Sequence, residues 1–126
     1  MQTLASNALS LIISWKFGIN WLVNNVSSLY TLNTLEINHS AHTLKIDNKI
    51  INITPKEYEI LTYLIKNKNI AISREQLLCN VWGYDYFGDD RTVDTHIKML
   101  RNNLGKYRDH IVTVRSIGYK YVEDKE

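Results

Sequence analysis

Asp90-Arg91-Thr92-Val93-Asp94-Thr95-His96-Ile97-Lys98-Met99-Leu100-Arg101-Asn102-Asn103-Leu104-Gly105 is the stretch on which the reading of this chain turns. At about 100° per residue, Val93, Ile97, Leu100 and Leu104 share one narrow stripe, while Arg91, Thr95, Lys98, Met99 and Asn102 fall on the opposite side. Asp90 suits an N-cap, whose side chain accepts from the orphan amides of a first turn. Gly105 suits the position after the last turn, because glycine tolerates a left-handed backbone. The stretch predicts a bounded helix with one apolar face and one basic, hydrogen-bonding face. Such a helix fits the major groove of B-DNA, roughly 12 Å wide, where side chains reach base edges. An ordinary solvated helix carries the same pattern, so the flanking sequence has to decide.

On the C-terminal side, Ile111–Arg115 and Tyr119–Val122 alternate as two strands around Ser116-Ile117-Gly118, which predicts a hairpin. On the N-terminal side lie two more helices. Thr54-Pro55-Lys56-Glu57 is a capping box with proline at the first helical position. Its helix carries Tyr58, Leu61, Leu64 and Ile65 inward and ends near Asn67. After a short extended Ala71-Ile72, Ser73-Arg74-Glu75-Gln76 is a second capping box, opening a helix with Leu77, Leu78, Val81 and Trp82 apolar that stops near Gly83. The loop Tyr84–Asp89, aromatic and acidic, leads into the Asp90 helix. Three helices followed by a basic hairpin make a winged helix-turn-helix, with a longer connection between the second and third helices than the usual 3–4 residues.

Before the first helix the period changes to two. Leu35 and Ile37, Leu44 and Ile46, then Ile51 and Ile53 alternate with polar residues, and Asn38-His39-Ser40 and Asp47-Asn48 supply turns. The expectation is a short antiparallel meander. His39 and His42 are three apart, but no cysteine or carboxylate constellation joins them, so surface histidines of a hairpin are expected and no metal site.

Residues 1–31 read differently. Lys16 is their one charged side chain, and Leu4, Leu11, Trp15, Leu22, Val26 and Leu29 recur at helical spacing, with Ile12 and Ile19 at the edge of the stripe. An amphipathic helix is the expectation, although Gly18 weakens it by roughly 1 kcal/mol. Ser14, Lys16, Asn20, Asn24 and Asn25 break the apolar run that a membrane span needs, and no basic residues open it as in a signal peptide. The helix is expected to pack on its own domain, to be a remnant leader, or to serve as an oligomer or membrane-surface helix. The predicted organisation is a leader over 1–31, a DNA-binding domain over 32–122 and a tail over 123–126.

Composition bounds the alternatives. The 126 residues, 44% hydrophobic and 22% charged, describe one globular domain able to bury roughly two-thirds of its unfolded surface. A net charge of +2 says little, but from Arg91 to Lys120 seven cationic side chains face only Asp94 and Asp109, an electrostatic footprint suited to a polyanion. Cys79 is the only cysteine, which rules out an intrachain disulfide and agrees with a reducing, cytoplasmic location. Its neighbours Leu77, Leu78 and Val81 predict a buried thiol. No nucleophile, base and orienting group assemble in the sequence, so no enzyme, no cofactor and no small-molecule substrate are expected.

Five ordered blocks then carry a resemblance. Ile53-Thr54-Pro55-Lys56-Glu57-Tyr58-Glu59-Ile60-Leu61, Ser73-Arg74-Glu75-Gln76-Leu77-Leu78, Val81-Trp82-Gly83, Asp90-Arg91-Thr92-Val93-Asp94-Thr95-His96-Ile97 and Val114-Arg115-Ser116-Ile117-Gly118-Tyr119 resemble the effector domain of OmpR/PhoB-type response regulators of bacterial two-component systems. The resemblance covers about residues 32–122. It implies an α+β fold: an N-terminal antiparallel sheet of four strands, three helices and a C-terminal hairpin wing. It implies a sequence-specific, double-stranded-DNA-binding transcriptional regulator, with helix 91–104 in the major groove and Arg115 of the wing in the minor groove. Arg91, Thr92, His96, Lys98 and Arg101 resemble phosphate- or base-contacting positions, and Trp82 and Thr113 backbone contacts. Thr95, Met99 and Asn102 join them on the exposed face. Tyr84, Asp85, Tyr86 and Phe87 correspond to a segment that meets RNA polymerase in some members, and pairing as a homodimer on DNA is implied as well.

Three departures stand out. Met99 occupies a position where members often carry a basic, base-reading residue; methionine touches a thymine methyl but makes no bidentate contact to guanine. Ser116 stands where the wing often has glycine. Members usually carry a receiver domain of about a hundred residues with a phosphorylated aspartate, whereas residues 1–31 contain no Asp or Glu, so phosphorelay control is not expected within them. The competing functions are a winged-helix module used for protein contacts, or a truncated effector fragment without regulation of its own.

Overall fold

A computed structural model describes residues 29–86 and 88–124. Four short strands come first: β1 (Leu29–Leu32), β2 (Leu35–Asn38), β3 (Thr43–Ile46) and β4 (Lys49–Ile51), paired antiparallel in chain order. Register places Leu35 opposite Ile46 and Ile37 opposite Leu44, so the period-two apolar residues share one buried face. β1 starts inside the segment expected as leader. Leu29, placed by its spacing on a helical stripe, lies in an edge strand opposite Asn38 and is half exposed. The remaining residues of that expected helix, 1–28, lie outside the described residues, as does the end of the tail.

α1 (Pro55–Lys66) follows with Thr54 as N-cap and Pro55 in its first turn. The predicted inward residues Tyr58, Leu61, Leu64 and Ile65 are all buried, joined by Ile60 and by the carboxylate of Glu57. β5 (Ile72–Ser73) leads to α2 (Arg74–Leu77), whose capping box forms as predicted: Gln76 N–H donates to Ser73 Oγ (3.1 Å) and Ser73 N–H to Gln76 Oε1 (2.9 Å). The helix then widens into a π-type turn over Leu78–Trp82, closed by Gly83 N–H on the Leu78 carbonyl (3.0 Å). Cys79 sits in that turn half-buried, not buried as expected, while Leu77 and Val81 on either side are buried.

α3 (Arg91–Leu104) buries the stripe read from the sequence: Val93, Ile97, Leu100 and Leu104 are each 1% exposed or less. Gly105 ends it at φ +57° as its position requires. A 3₁₀ turn over Gly105–His110 then tucks Tyr107 and His110 into the core. β6 (Ile111–Val114) and β7 (Gly118–Tyr121) form the hairpin, and β5 adds on the far side of β7 in the order β5-β7-β6. Gly118 permits that third strand, since a Cβ there would lie 2.1 Å from the Ile72 carbonyl oxygen. The winged helix-turn-helix with a four-stranded N-terminal sheet is therefore as expected. The core runs from the inner face of the meander through α1 and α3 to β7.

Candidate nucleic-acid interface

The seat of α3 is built from polar bonds as well as its apolar stripe. Glu57 on α1, 1% exposed, accepts from Asn103 Nδ2 on α3 (2.7 Å) and from the Thr54 hydroxyl (2.9 Å). A carboxylate that deeply buried has to be hydrogen-bonded, so the pair locks the C-terminal half of α3 onto α1. At the other end Asp94 accepts from the Tyr119 hydroxyl of β7 (2.5 Å) and from Arg74 Nε of α2 (3.0 Å), while Arg74 Nη1 lies 3.9 Å from Asp90. Burial, and then the bond to Asp94, pushes the Tyr119 phenol up to about 12. The helix start differs from the expected one: Asp90 makes no capping bond, and Asp89 Oδ1 accepts from Arg91 N–H instead (3.0 Å). That bond holds the Asp89 carboxyl below the usual carboxylate range.

Opposite the buried stripe, Arg91, Thr95, Lys98, Met99 and Asn102 are all exposed. Arg91 Nε lies 3.6 Å from Asp89, and the Thr95 hydroxyl bonds back to the Arg91 carbonyl (3.2 Å). Among the described residues Lys98 and Asn102 make no hydrogen bond or ion pair, so their polar groups face outward uncommitted. On one flank Trp82, Thr92 and His96 form a half-buried cluster. His96 Nδ1 donates to the Thr92 carbonyl (2.8 Å), and its ring meets the Trp82 indole edge-on at 5.0 Å between centroids. Lys56 Nζ stands 5.5 Å from the centre of that indole and donates to the Val81 carbonyl (2.8 Å).

The other flank holds the wing. Arg101 donates through Nε (3.2 Å) and Nη2 (2.8 Å) to the Ile111 carbonyl, and through Nη2 to Thr113 Oγ1 (2.9 Å). Its guanidinium also lies 5.5 Å from the centre of the Tyr119 ring. Burial draws its affinity for the proton down from the ordinary arginine value. Arg101 and Thr113, both expected at the DNA, are thus bonded to each other in the free protein. Arg115 projects from the wing turn, exposed and without an ion pair among the described residues. Its neighbour Ser116 adopts φ +69°, the left-handed conformation that glycine takes without cost at such turns. Between the wing and the start of α2 lies a cleft of about 510 Å³, lined in part by Ser73, Arg74, Thr113 and Ile117.

In the loop before α3, Tyr84 is 85% exposed and Asp85 is exposed. Tyr86 turns back, its ring 6.0 Å from Trp82 and its hydroxyl 3.3 Å from that of Thr92. Phe87 lies outside the described residues. His39 and His42 do pack at the hairpin surface, but against α1: His42 stacks on Tyr58 at 4.8 Å and His39 Nδ1 is 3.2 Å from the Tyr58 hydroxyl. Among the described residues no group of three His, Cys, Asp or Glu side chains is arranged to hold a metal ion. No helix among them is long and apolar enough to cross a membrane. Sequence reading missed Glu57, Lys56, Arg74, Asp94 and Tyr119. Each acts across elements, where periodicity carries no signal.

Comparison with known proteins places this geometry. A family model described as "Transcriptional regulatory protein, C terminal" matches residues 47–121. The Staphylococcus aureus transcriptional regulatory protein SrrA is 50% identical over 91 residues, covering 69% of this chain and 38% of that protein. The chain therefore spans well under half the length of the curated relatives it matches. The DNA-binding domain of Bacillus subtilis CssR superposes with a TM-score of 0.64 at 35% identity, over 69% of this chain and 98% of that one. The Klebsiella pneumoniae RstA DNA-binding domain, solved in complex with its RstA box, gives a TM-score of 0.68 at 25% identity over 76% and 98%. The Thermotoga maritima response regulator DrrB, an OmpR/PhoB homologue, gives 0.69 at 31% identity over 75% of this chain and 44% of that one.

Proposed function

Because this chain belongs to the OmpR/PhoB-type family of transcriptional regulatory C-terminal domains, we propose that it binds duplex DNA sequence-specifically and regulates transcription, with α3 in the major groove and Arg115 in the adjacent minor groove. One observation carries the geometry: Arg101 clamps β6 to the flank of α3, so the outward row of the helix and the exposed wing arginine form one rigid surface. Lys98 and Arg91 supply cations to the major groove side. Arg115 suits a narrow, A·T-rich minor groove, whose negative potential attracts arginine. The half-buried cluster of Trp82, Thr92 and His96, with Lys56 beside the indole, is the flank assigned to a phosphate strand. The test is selection from random duplexes followed by salt titration. Log K should fall with log salt by about 0.9 per phosphate contact. A folded protein with no affinity for any duplex at low salt would end this reading.

Two partners follow at the same level of proposal. Tyr84, 85% exposed next to Asp85, offers an aromatic anchor for a protein contact, and RNA polymerase is the partner the family suggests. Tyr84→Ala should then lower promoter activation without changing DNA affinity. Residues 1–28 carry an apolar stripe on sequence grounds, and we assign them a role in self-association on paired half-sites. Deleting them and measuring solution mass and paired-site affinity decides that: unchanged values place dimerisation elsewhere.

A further inference from the structure

We infer that the α3 surface reads an A·T step in its half-site, through the methyl group of a thymine under Met99 and the edge of an adenine under Asn102. The inference rests on the proposed major-groove seat of α3 and adds the chemistry of what is read there. Guanine is read most often by arginine or lysine on O6 and N7, and arginine's fork is the more discriminating of the two. α3 has only two arginines, and neither is placed to do this mid-helix. Arg101 is committed to the Ile111 carbonyl and Thr113 of the wing. Arg91 stands on the first turn, outside the centre of the helix, its exposed side chain 3.6 Å from Asp89. The outward centre of the helix is left to Thr95, Lys98, Met99 and Asn102.

Two of these four have an obvious complement. Met99 is 42% exposed, an apolar and adaptable side chain on an otherwise polar face, where solvation gains nothing. In the major groove the one apolar group on a base edge is the thymine C5-methyl. Asn102 follows three residues on, one turn along the same face, and its amide has no partner among the described residues. An asparagine amide offers a donor and an acceptor side by side, the complement of adenine N7 and N6. Thr95 is less available, because its hydroxyl already bonds to the Arg91 carbonyl (3.2 Å). Lys98 adds charge without fork geometry and so grips more than it discriminates.

The test uses the duplex selected by the intact chain, with single-atom changes in its bases and affinity read by fluorescence anisotropy at fixed salt. Deoxyuridine replaces each thymine in turn, deleting only the methyl group. At one position affinity should fall about fourfold, the factor equivalent to roughly 0.8 kcal/mol for a buried methyl. The Met99→Ala variant should show no such loss. 7-Deazaadenine, which lacks N7, should cost about fivefold at a neighbouring position, as one hydrogen bond would, and nothing in Asn102→Ala. Both variants sit on the solvent face of α3, so folding is not at risk. Tight binding of a selected site with no loss from any deoxyuridine, or an equal loss in Met99→Ala, overturns the inference and leaves the groove seat standing. Failure to select any site overturns both.

Discussion

Arg101→Ala separates two roles that one side chain could play. As a brace, Arg101 holds β6 against α3 with three hydrogen bonds from a cationic donor, at 2.8, 2.9 and 3.2 Å. Hydrogen bonds involving a charged group contribute roughly 1.5–3 kcal/mol when well buried. Arg101 is half-buried, so water competes and the three bonds together are better set at about 2 kcal/mol. Stacking on Tyr119 adds about 0.5 kcal/mol at such a site. For a domain of this size each kcal/mol moves the melting temperature by roughly 4–8 °C, so a drop of about 10 °C is expected in a thermal melt. DNA affinity should fall too, because a loose wing no longer presents Arg115 in register with α3. The slope of log K against log salt should nevertheless stay constant, since no phosphate contact is lost. Arg101→Lys, with a point charge in place of the fork, should recover less than half of the stability. An Arg101→Ala protein that melts like the parent and loses about 0.9 in salt slope would refute the brace and return Arg101 to the phosphates.

Gly118→Ala should destabilise the domain by more than 2 kcal/mol, read by urea unfolding, because its Cβ would meet the Ile72 carbonyl at 2.1 Å and separate β5 from β7; a neutral effect would mean that the β5 edge is dispensable. Ser116→Gly should stabilise by roughly 0.5–1 kcal/mol, the left-handed cost of a side chain less the entropy of glycine, and an outcome below the parent would contradict the φ of +69°. Tyr119 holds its proton up to about 12, above the ordinary phenol value of 10.0. A raised folded pKa means stability fully present below pH 10 and lost as pH climbs toward 12. Tyr119→Phe should therefore flatten part of that alkaline loss, and an unchanged pH profile would count against the burial of this phenol against Asp94.

The parts of the fold that sequence made legible are those where one period runs long enough to be read. The stripe of α3, the Ser73 capping box and the alternation of Leu35, Ile37, Leu44 and Ile46 all recur in the structure on the residues that predicted them. At Thr54 only the N-cap half of the predicted box forms, the Glu57 carboxylate accepting from the Thr54 hydroxyl instead of its N–H. The parts that stayed hidden are short. β1 has four residues at the sheet edge with no fully buried member, so its leucines read equally well as the end of a helical stripe. β5 has two residues, below any period, and its existence depends on the missing side chain at position 118. The π-type turn after α2, which holds the half-buried Cys79, differs from a helix by one hydrogen-bond step, too little to alter the pattern of apolar residues.

At the interface the limit is of another kind. Periodicity tells which side chains leave the core; it does not tell which of them are already spoken for. Arg91, Lys98 and Arg101 are equivalent cations in the sequence, yet one lies beside the carboxylate of Asp89, one is uncommitted, and one is spent on holding the wing. The acidic residue Asp94 is out of place on a helix proposed to face DNA until Arg74 and Tyr119 are seen to converge on it. Subtracting these internal bonds from the exposed face changes what it can recognise. On the proposed seat of α3, a row that looks like a general polyanion grip becomes a narrower set, with Met99 and Asn102 proposed as its discriminating members and Arg91, Lys98 and Arg115 as its exposed charges. If α3 reads bases as proposed, the bonds that restrain Arg101 shape its specificity as much as the residues that meet the bases.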